Sequence, residues 1–205
     1  SNEDAAERLI KLGEEKFRVH CVGAPQIDEL VQGYYTQREA LEEKYSLELN
    51  RNYILMVQHP VTEEFDQAGE QVKTTMYALN KFNIPKIIIL PNNDAGSIII
   101  REGIEEHRHG EYYIFSNLSR RDYLGFLRYA LFMIGNSSSG ILEAPSFRVP
   151  YVNLGRRQEK RIRGANVIDA PFEKGEIVVA MTKAMSEDFQ KHLQKNSKNP
   201  YGEGN

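Results

Sequence analysis

The stretch ALFMIGNSSSGILEAP, residues 130–145, decides the fold. Its first five residues are apolar without a break, which is how a strand buried on both faces of a parallel sheet reads. Gly135 ends that run, four small polar residues follow, and Gly140 lies at or just inside the start of a helix. A buried strand, a turn of small residues and a helix in direct succession form the beginning of a βαβ crossover.

Working outward, further strand-length apolar runs stand at FRVHCV (17–22), NYILMV (52–57), PKIIIL (85–90) and EYYIF (111–115), with a weaker one at VPYVNL (149–154). Helical spacing fills the gaps. Val61, Phe65, Ala68, Val72, Met76 and Leu79 fall in steps of three and four on one face, and Leu118, Tyr123, Leu124, Leu127 and Leu131 form a shorter stripe. ERLIKLG near the start and GEIVVAMTKAMS near the end read as helices too. This alternation predicts one α/β domain over residues 1–205, doubly wound on a mainly parallel six-stranded sheet.

Composition narrows the function classes. The 205 residues carry a net charge of −3, which invites neither nucleic acid nor an anionic membrane. A single cysteine, Cys21, excludes an internal disulfide framework and suits a reducing, cytoplasmic setting. No apolar run approaches the ~20 residues that span a bilayer.

Ligands of doubly wound sheets bind outside the carboxyl ends of the strands. The loops expected there are GAPQID (23–28), QHP (58–60), PNNDAGS (91–97), SNLSRRD (116–122), GNSSSG (135–140) and GRRQEKRIRG (155–164). The glycines of GNSSSG have the G-x-x-x-x-G spacing of a phosphate loop, but Ile141 and Leu142 stand where that loop needs Lys and Ser or Thr. Asn136, Ser137 and Ser138 are N-cap candidates, and the free N–H groups of such a turn favour a phosphate. Glu143, one helical turn in, is either a solvated helix glutamate or a carboxylate that accepts hydrogen bonds from a vicinal diol such as a ribose. His59 follows a strand directly, and Pro60 is expected to open a helix. It reads as a structural histidine or as a group that donates to phosphate or acts as general acid. Asn92 and Asp94 hold sugar hydroxyls or form an Asx turn. Arg157 is placed to neutralise a second phosphate. No Cys/His cluster has zinc spacing, so neither metal nor cofactor is expected.

Together, QHPVTEEF, PNNDAGS, IGNSSSGILEAPSF, VPYVNLGRRQEKR and the terminal YGEGN closely resemble the hydrolysing UDP-N-acetylglucosamine 2-epimerases over nearly the whole chain. The non-hydrolysing branch reads closer to D-S-G-G at the turn and Arg-Arg after the histidine. The resemblance implies the second, C-terminal Rossmann-like half of a two-domain GT-B fold, in a homo-oligomeric parent of sialic acid biosynthesis. The N-terminal catalytic half of the same protein is then the partner. The parent reaction would convert UDP-N-acetylglucosamine and water to N-acetylmannosamine and UDP.

By motif, the resemblance gives Ser137 and Ser138 to the diphosphate, Glu143 to the ribose, Arg157 to the phosphates or leaving oxygen, and Ser116 and Asn117 to the base. His59 would assist UDP departure as the catalytic residue of this half, with Asn92 and Asp94 on the sugar side. A GT-B glycosyltransferase donor domain and a nucleotide-binding module without turnover are the rival readings, and a 2,4-diacetamido sugar is an alternative substrate.

Overall fold

The computed structural model describes residues 2–49, 52–92, 94–196 and 198–204. Asn93 of PNNDAGS and Asn205 of YGEGN lie outside the described residues. Six parallel strands form one sheet: β1 (Ile54–Val57), β2 (Lys86–Ile89), β3 (Tyr112–Phe115), β4 (Phe132–Gly135), β5 (Tyr151–Leu154) and β6 (Val167–Ala170). Their spatial order is β3-β2-β1-β4-β5-β6, the order of the doubly wound dinucleotide-binding sheet. Strands β1, β4 and β5 are buried at every position, whereas the edge strands β3 and β6 are only partly covered. Continuous apolar runs therefore mark the centre of the sheet, as the sequence suggested.

The helices are α1 (Glu3–Lys11), α2 (Gln26–Val31), α3 (Arg38–Tyr45), α4 (Ala68–Leu79), α5 (Ser97–His107), α6 (Arg120–Tyr129), α7 (Ser139–Leu142), α8 (Lys174–Met185) and α9 (Glu187–Asn196). Alternation along each strand separates two cores. Ile54 and Met56 pack with Val72, Met76 and Ile100 of α4 and α5 and with Ile177 and Met181 of α8. Leu55 and Val57 pack with Leu41, Phe126, Leu127 and Ile141 on the other face. A sheet with helices on both faces is thus built from period-two burial alone.

Three expectations are corrected. Residues 17–22 are not a strand: Lys16–Arg18 is a 3-10 turn, Phe17 is 75% exposed and Val22 is 69% exposed. With no neighbouring strand to pair and no core to enter, apolar content alone does not make a strand there. The sixth strand is instead β6, whose four residues include the exposed Asp169 and so carry a weak apolar signal. Finally, Pro60 does not open a helix. A 3-10 segment, Thr62–Gln67, intervenes with Glu64 off helical geometry, and Phe65 remains 42% exposed, so the buried stripe begins at Ala68.

Two local devices fix the helices and turns around the cleft. Asp122, in the first turn of α6, receives bonds from Lys44 Nζ (2.6 Å), Thr36 Oγ1 (2.6 Å), Ser119 Oγ (2.7 Å) and Tyr45 OH (2.8 Å), tying α3 to α6. Tyr151 shapes the turn after β4. A Cβ at Gly140 would lie 2.4 Å from the Tyr151 ring, and the Tyr151 hydroxyl is 3.0 Å from the carbonyls of both Gly135 and Ser137.

Candidate functional site

Parallel pairing sets Val57 opposite Gly135, so the segments leaving β1 and β4 emerge side by side at the point where strand order reverses. Such switch points are where doubly wound sheets bind ligands. Gly135 has φ 130°, and a Cβ there would lie 2.0 Å from the Val57 carbonyl oxygen, so only glycine permits this approach. Its missing side chain, like that of Gly140, serves packing. The G-x-x-x-x-G spacing therefore does not mark a phosphate loop.

Asn136 does not cap the helix. It is fully buried, and its side chain spans to His59, where Oδ1 accepts from the His59 N–H at 2.7 Å and Nδ2 donates to the His59 carbonyl at 2.8 Å. Its main-chain oxygen accepts from Arg157 Nη1 (3.1 Å) and Gln158 Nε2 (2.9 Å). Asn136 is thus the hub that joins the segments after β1, β4 and β5. Composition at a turn suggested a cap; only the register of β1 against β4 reveals this second use.

His59 is half-buried, and its Nδ1 is enclosed without a hydrogen-bond partner among the described residues. Burial, then the positive Arg157, lower its pKa to about 4, against an upward pull from Asp94. The imidazole is neutral at pH 7 and carries one N–H to donate. An anion bound beside it would raise its pKa, because opposite charge favours the protonated form. His59 thus lies in the fields of both Arg157 and Asp94.

Ser137 is buried and Ser138 half-buried at the start of α7. The N–H groups of both lack hydrogen-bond partners among the described residues, which leaves two donors at the turn. Helix α7 is a single turn of 4 residues, followed by a 3-10 turn (Ala144–Phe147), so its dipole is small and the donors offered here are the local N–H groups. Of the basic run after β5, Arg156 pairs with Glu64 (3.3 Å) and Arg163 with Asp169 (2.7 Å), whereas Arg157 leans onto the turn.

Glu143 is 6% exposed, so it is not a solvated helix glutamate. Arg120 Nη1 donates to its Oε1 at 2.9 Å, while Arg120 Nε reaches Glu29 at 2.7 Å and Nη2 the carbonyl of Gln26 at 3.1 Å. Burial raises the Glu143 pKa and Arg120 offsets part of that rise. Its other oxygen, Oε2, accepts no hydrogen bond among the described residues. Glu143 itself ties back to the turn through its N–H, which donates to the Ser139 carbonyl at 2.9 Å, and Tyr123, in the field of the pair, hydrogen-bonds Ser139 Oγ. Arg120 and Tyr123 escaped the sequence reading, since an arginine in SNLSRRD and an aromatic in an amphipathic stripe each have a commoner surface or core use.

The remaining candidates sit further out. Ser116 and Asn117 are exposed on the loop after β3 that leads to Arg120. Asn92 and Asp94 are exposed as well, and their carbonyls both accept from Ser97 Oγ, which gives the turn. Asp94 keeps a further link to the site through its field on His59.

The family described as UDP-N-acetylglucosamine 2-epimerase matches residues 1–205. The UDP-N,N'-diacetylbacillosamine 2-epimerase (hydrolyzing) of Legionella pneumophila is 34% identical over 205 residues, covering 100% of this chain and 53% of that protein. The UDP-N-acetylglucosamine 2-epimerase of Neisseria meningitidis serogroup B is 32% identical over 186 residues, covering 91% of this chain and 49% of its own length. Among solved structures, the UDP-GlcNAc 2-epimerase from Neisseria meningitidis bound to UDP-GlcNAc superposes with a TM-score of 0.80 at 17% identity, over 100% of this chain and 57% of that one. The chain thus spans about half the length of the curated relatives it matches. With a match along its whole length and the doubly wound sheet those proteins share, the chain belongs to the UDP-N-acetylglucosamine 2-epimerase family.

Proposed function

We propose that this chain is the C-terminal, UDP-binding half of a hydrolysing UDP-N-acetylglucosamine 2-epimerase, acting in the cytoplasm as part of a homo-oligomeric parent. The observation that carries this reading is the grouping of Arg157, His59 and the free N–H groups of Ser137 and Ser138 about Asn136, with the Glu143–Arg120 pair joined to the same turn through the bond from the Glu143 N–H to the Ser139 carbonyl. One end of that arrangement suits a diphosphate and the other a ribose diol. Two amides and a guanidinium supply the charge complement that a lysine and a magnesium ion supply in a phosphate loop.

In the parent, a base from the preceding half removes the proton on C2 of the sugar while the C1–O bond to UDP breaks, giving 2-acetamidoglucal. Water then adds across the double bond, hydroxyl to C1 and proton to C2 with inverted configuration, giving N-acetylmannosamine. This half holds UDP. Negative charge grows on the leaving phosphate oxygen, and Arg157 with the imidazole N–H of His59 stabilises it there. Alone, the chain binds UDP and turns nothing over, because catalysis needs groups from both halves.

Calorimetric titration with UDP tests the binding, and NMR of UDP-N-acetylglucosamine with chain and parent tests the division of labour. UDP binding with turnover by the parent alone supports the proposal. Epimerisation by the isolated chain, or no UDP binding by either, overturns it; sugar transfer to an acceptor by the parent would make it a glycosyltransferase.

The Legionella pneumophila relative favours a second reading of the sugar, a 2,4-diacetamido hexose. Comparing kcat/KM of the parent for the two UDP-sugars decides between them.

A further inference from the structure

A second pocket, sharing no residue with the proposed UDP site, lies on the outer surface of α4. It has a volume of about 300 Å³ and is walled by Lys73, Tyr77 and Lys81, by His107 and His109 at the end of α5, and by Lys174 at the start of α8. No carboxylate lines it, although the chain as a whole is acidic with a net charge of −3. Asn80 makes its floor rigid: Nδ2 donates to the His107 carbonyl at 2.7 Å, and Oδ1 accepts from Tyr112 OH at 2.8 Å.

The lysines converge on one ring. Lys81 Nζ lies 4.6 Å and Lys174 Nζ 4.7 Å from the centroid of Tyr77, which is itself 41% exposed. Neither ammonium is in an ion pair among the described residues. Two exposed acids reach its rim: Glu70 pairs with Lys73 at 3.6 Å, and Glu106 lies 3.9 Å from His107. A ring quadrupole attracts each ammonium but does not neutralise their mutual repulsion. An anion in reach of both offsets it.

We propose that this pocket binds a small anion carrying two linked phosphates, held by the ammoniums of Lys81 and Lys174. The volume is at the small end for ligand pockets, which suits a diphosphate group better than an extended polymer. Inorganic diphosphate and the diphosphate of a nucleotide share this chemistry.

The test is amide NMR of the full chain titrated separately with inorganic pyrophosphate and with UDP. Saturable shifts at Tyr77, Lys81, His109 and Lys174 are expected with pyrophosphate, weakened about tenfold or more in a K81E/K174E variant and reduced by added salt. The same spectra report whether the variant is folded, and a K81A/K174A variant replaces it if it is not. Shifts in this pocket with UDP as well as pyrophosphate identify the nucleotide as a source; shifts with pyrophosphate alone identify the inorganic anion. Shifts that fail to saturate, that spread over all lysines, that map only to Ser137 and Arg157, or that persist unchanged in the variant overturn the proposal.

Discussion

Asn136 grips His59 by its backbone and leaves the imidazole free: both amide atoms of one fully buried side chain are spent on the His59 N–H and carbonyl, at 2.7 and 2.8 Å. The position of His59 is therefore independent of its own side chain. Asn136→Ala should cost roughly 2–3 kcal/mol in urea denaturation, from two lost bonds and two stranded backbone groups. Asn136→Asp should cost as much, since its second oxygen would face the His59 carbonyl. A loss below about 0.5 kcal/mol in either variant would show that solvent replaces the grip.

His59→Ala should leave the fold intact and, in the parent enzyme, lower kcat about 10²-fold with a smaller change in KM, as for an interaction that strengthens in the transition state. Near-normal kcat with a large fall in melting temperature would make the histidine structural.

The same residue sets a pH signature. Burial, with Arg157, holds the imidazole at about 4 in the folded chain, below its ordinary 6.5. Between those values the unfolded chain binds a proton that the folded chain does not, so stability falls as pH drops from 6.5 towards 4. After a discount for partial exposure, the loss is on the order of 2 kcal/mol. Urea midpoints at pH 7 and pH 5 should differ for the wild-type chain and converge in His59→Ala. Parallel declines in both would place the acid sensitivity elsewhere.

Glu143→Gln should weaken UDP binding by roughly 1–3 kcal/mol while hardly affecting a 2′,3′-dideoxy analogue, which has no diol to hold. Arg120 keeps Glu29 and the Gln26 carbonyl as partners, so the variant should fold. Equal losses for both nucleotides, measured by calorimetry, would mean that the carboxylate only anchors Arg120.

Asp122 acts in a lower pH range. Burial works to raise its pKa, but the bonds from Lys44, Thr36, Ser119 and Tyr45 outweigh this and hold it well below the usual carboxylate range. Its contribution is complete above about pH 4 and is lost as pH falls further, towards the folded value. Asp122→Ala should destabilise the chain by roughly 3 kcal/mol at pH 7, seen as a lower melting temperature. A change under about 1 kcal/mol would show that the four donors find water instead.

What was legible in the sequence came from burial. Residues 52–57 and 130–134 announce the central strands because both faces are covered, and a run without polar breaks has few other uses. Residues 17–22 misled for the converse reason, and β6 was missed because an edge strand tolerates Asp169. Within the site, His59, Ser137, Glu143 and Arg157 stood out by their place after strands, whereas Arg120, Tyr123 and the second use of Asn136 depend on contacts between segments distant in sequence.

Tyr151 sits behind the turn it shapes. Its ring fills the space above Gly140, and its hydroxyl meets the Ser137 carbonyl from within the hydrophobic interior. The mould of the turn is thus cast by a strand residue that no ligand needs to touch. For protein engineering this divides the cleft into a fixed part and an adjustable one. Substitutions at 136–140 disturb the interior, whereas the exposed loop bearing Ser116 and Asn117 can be rewritten without recasting the turn.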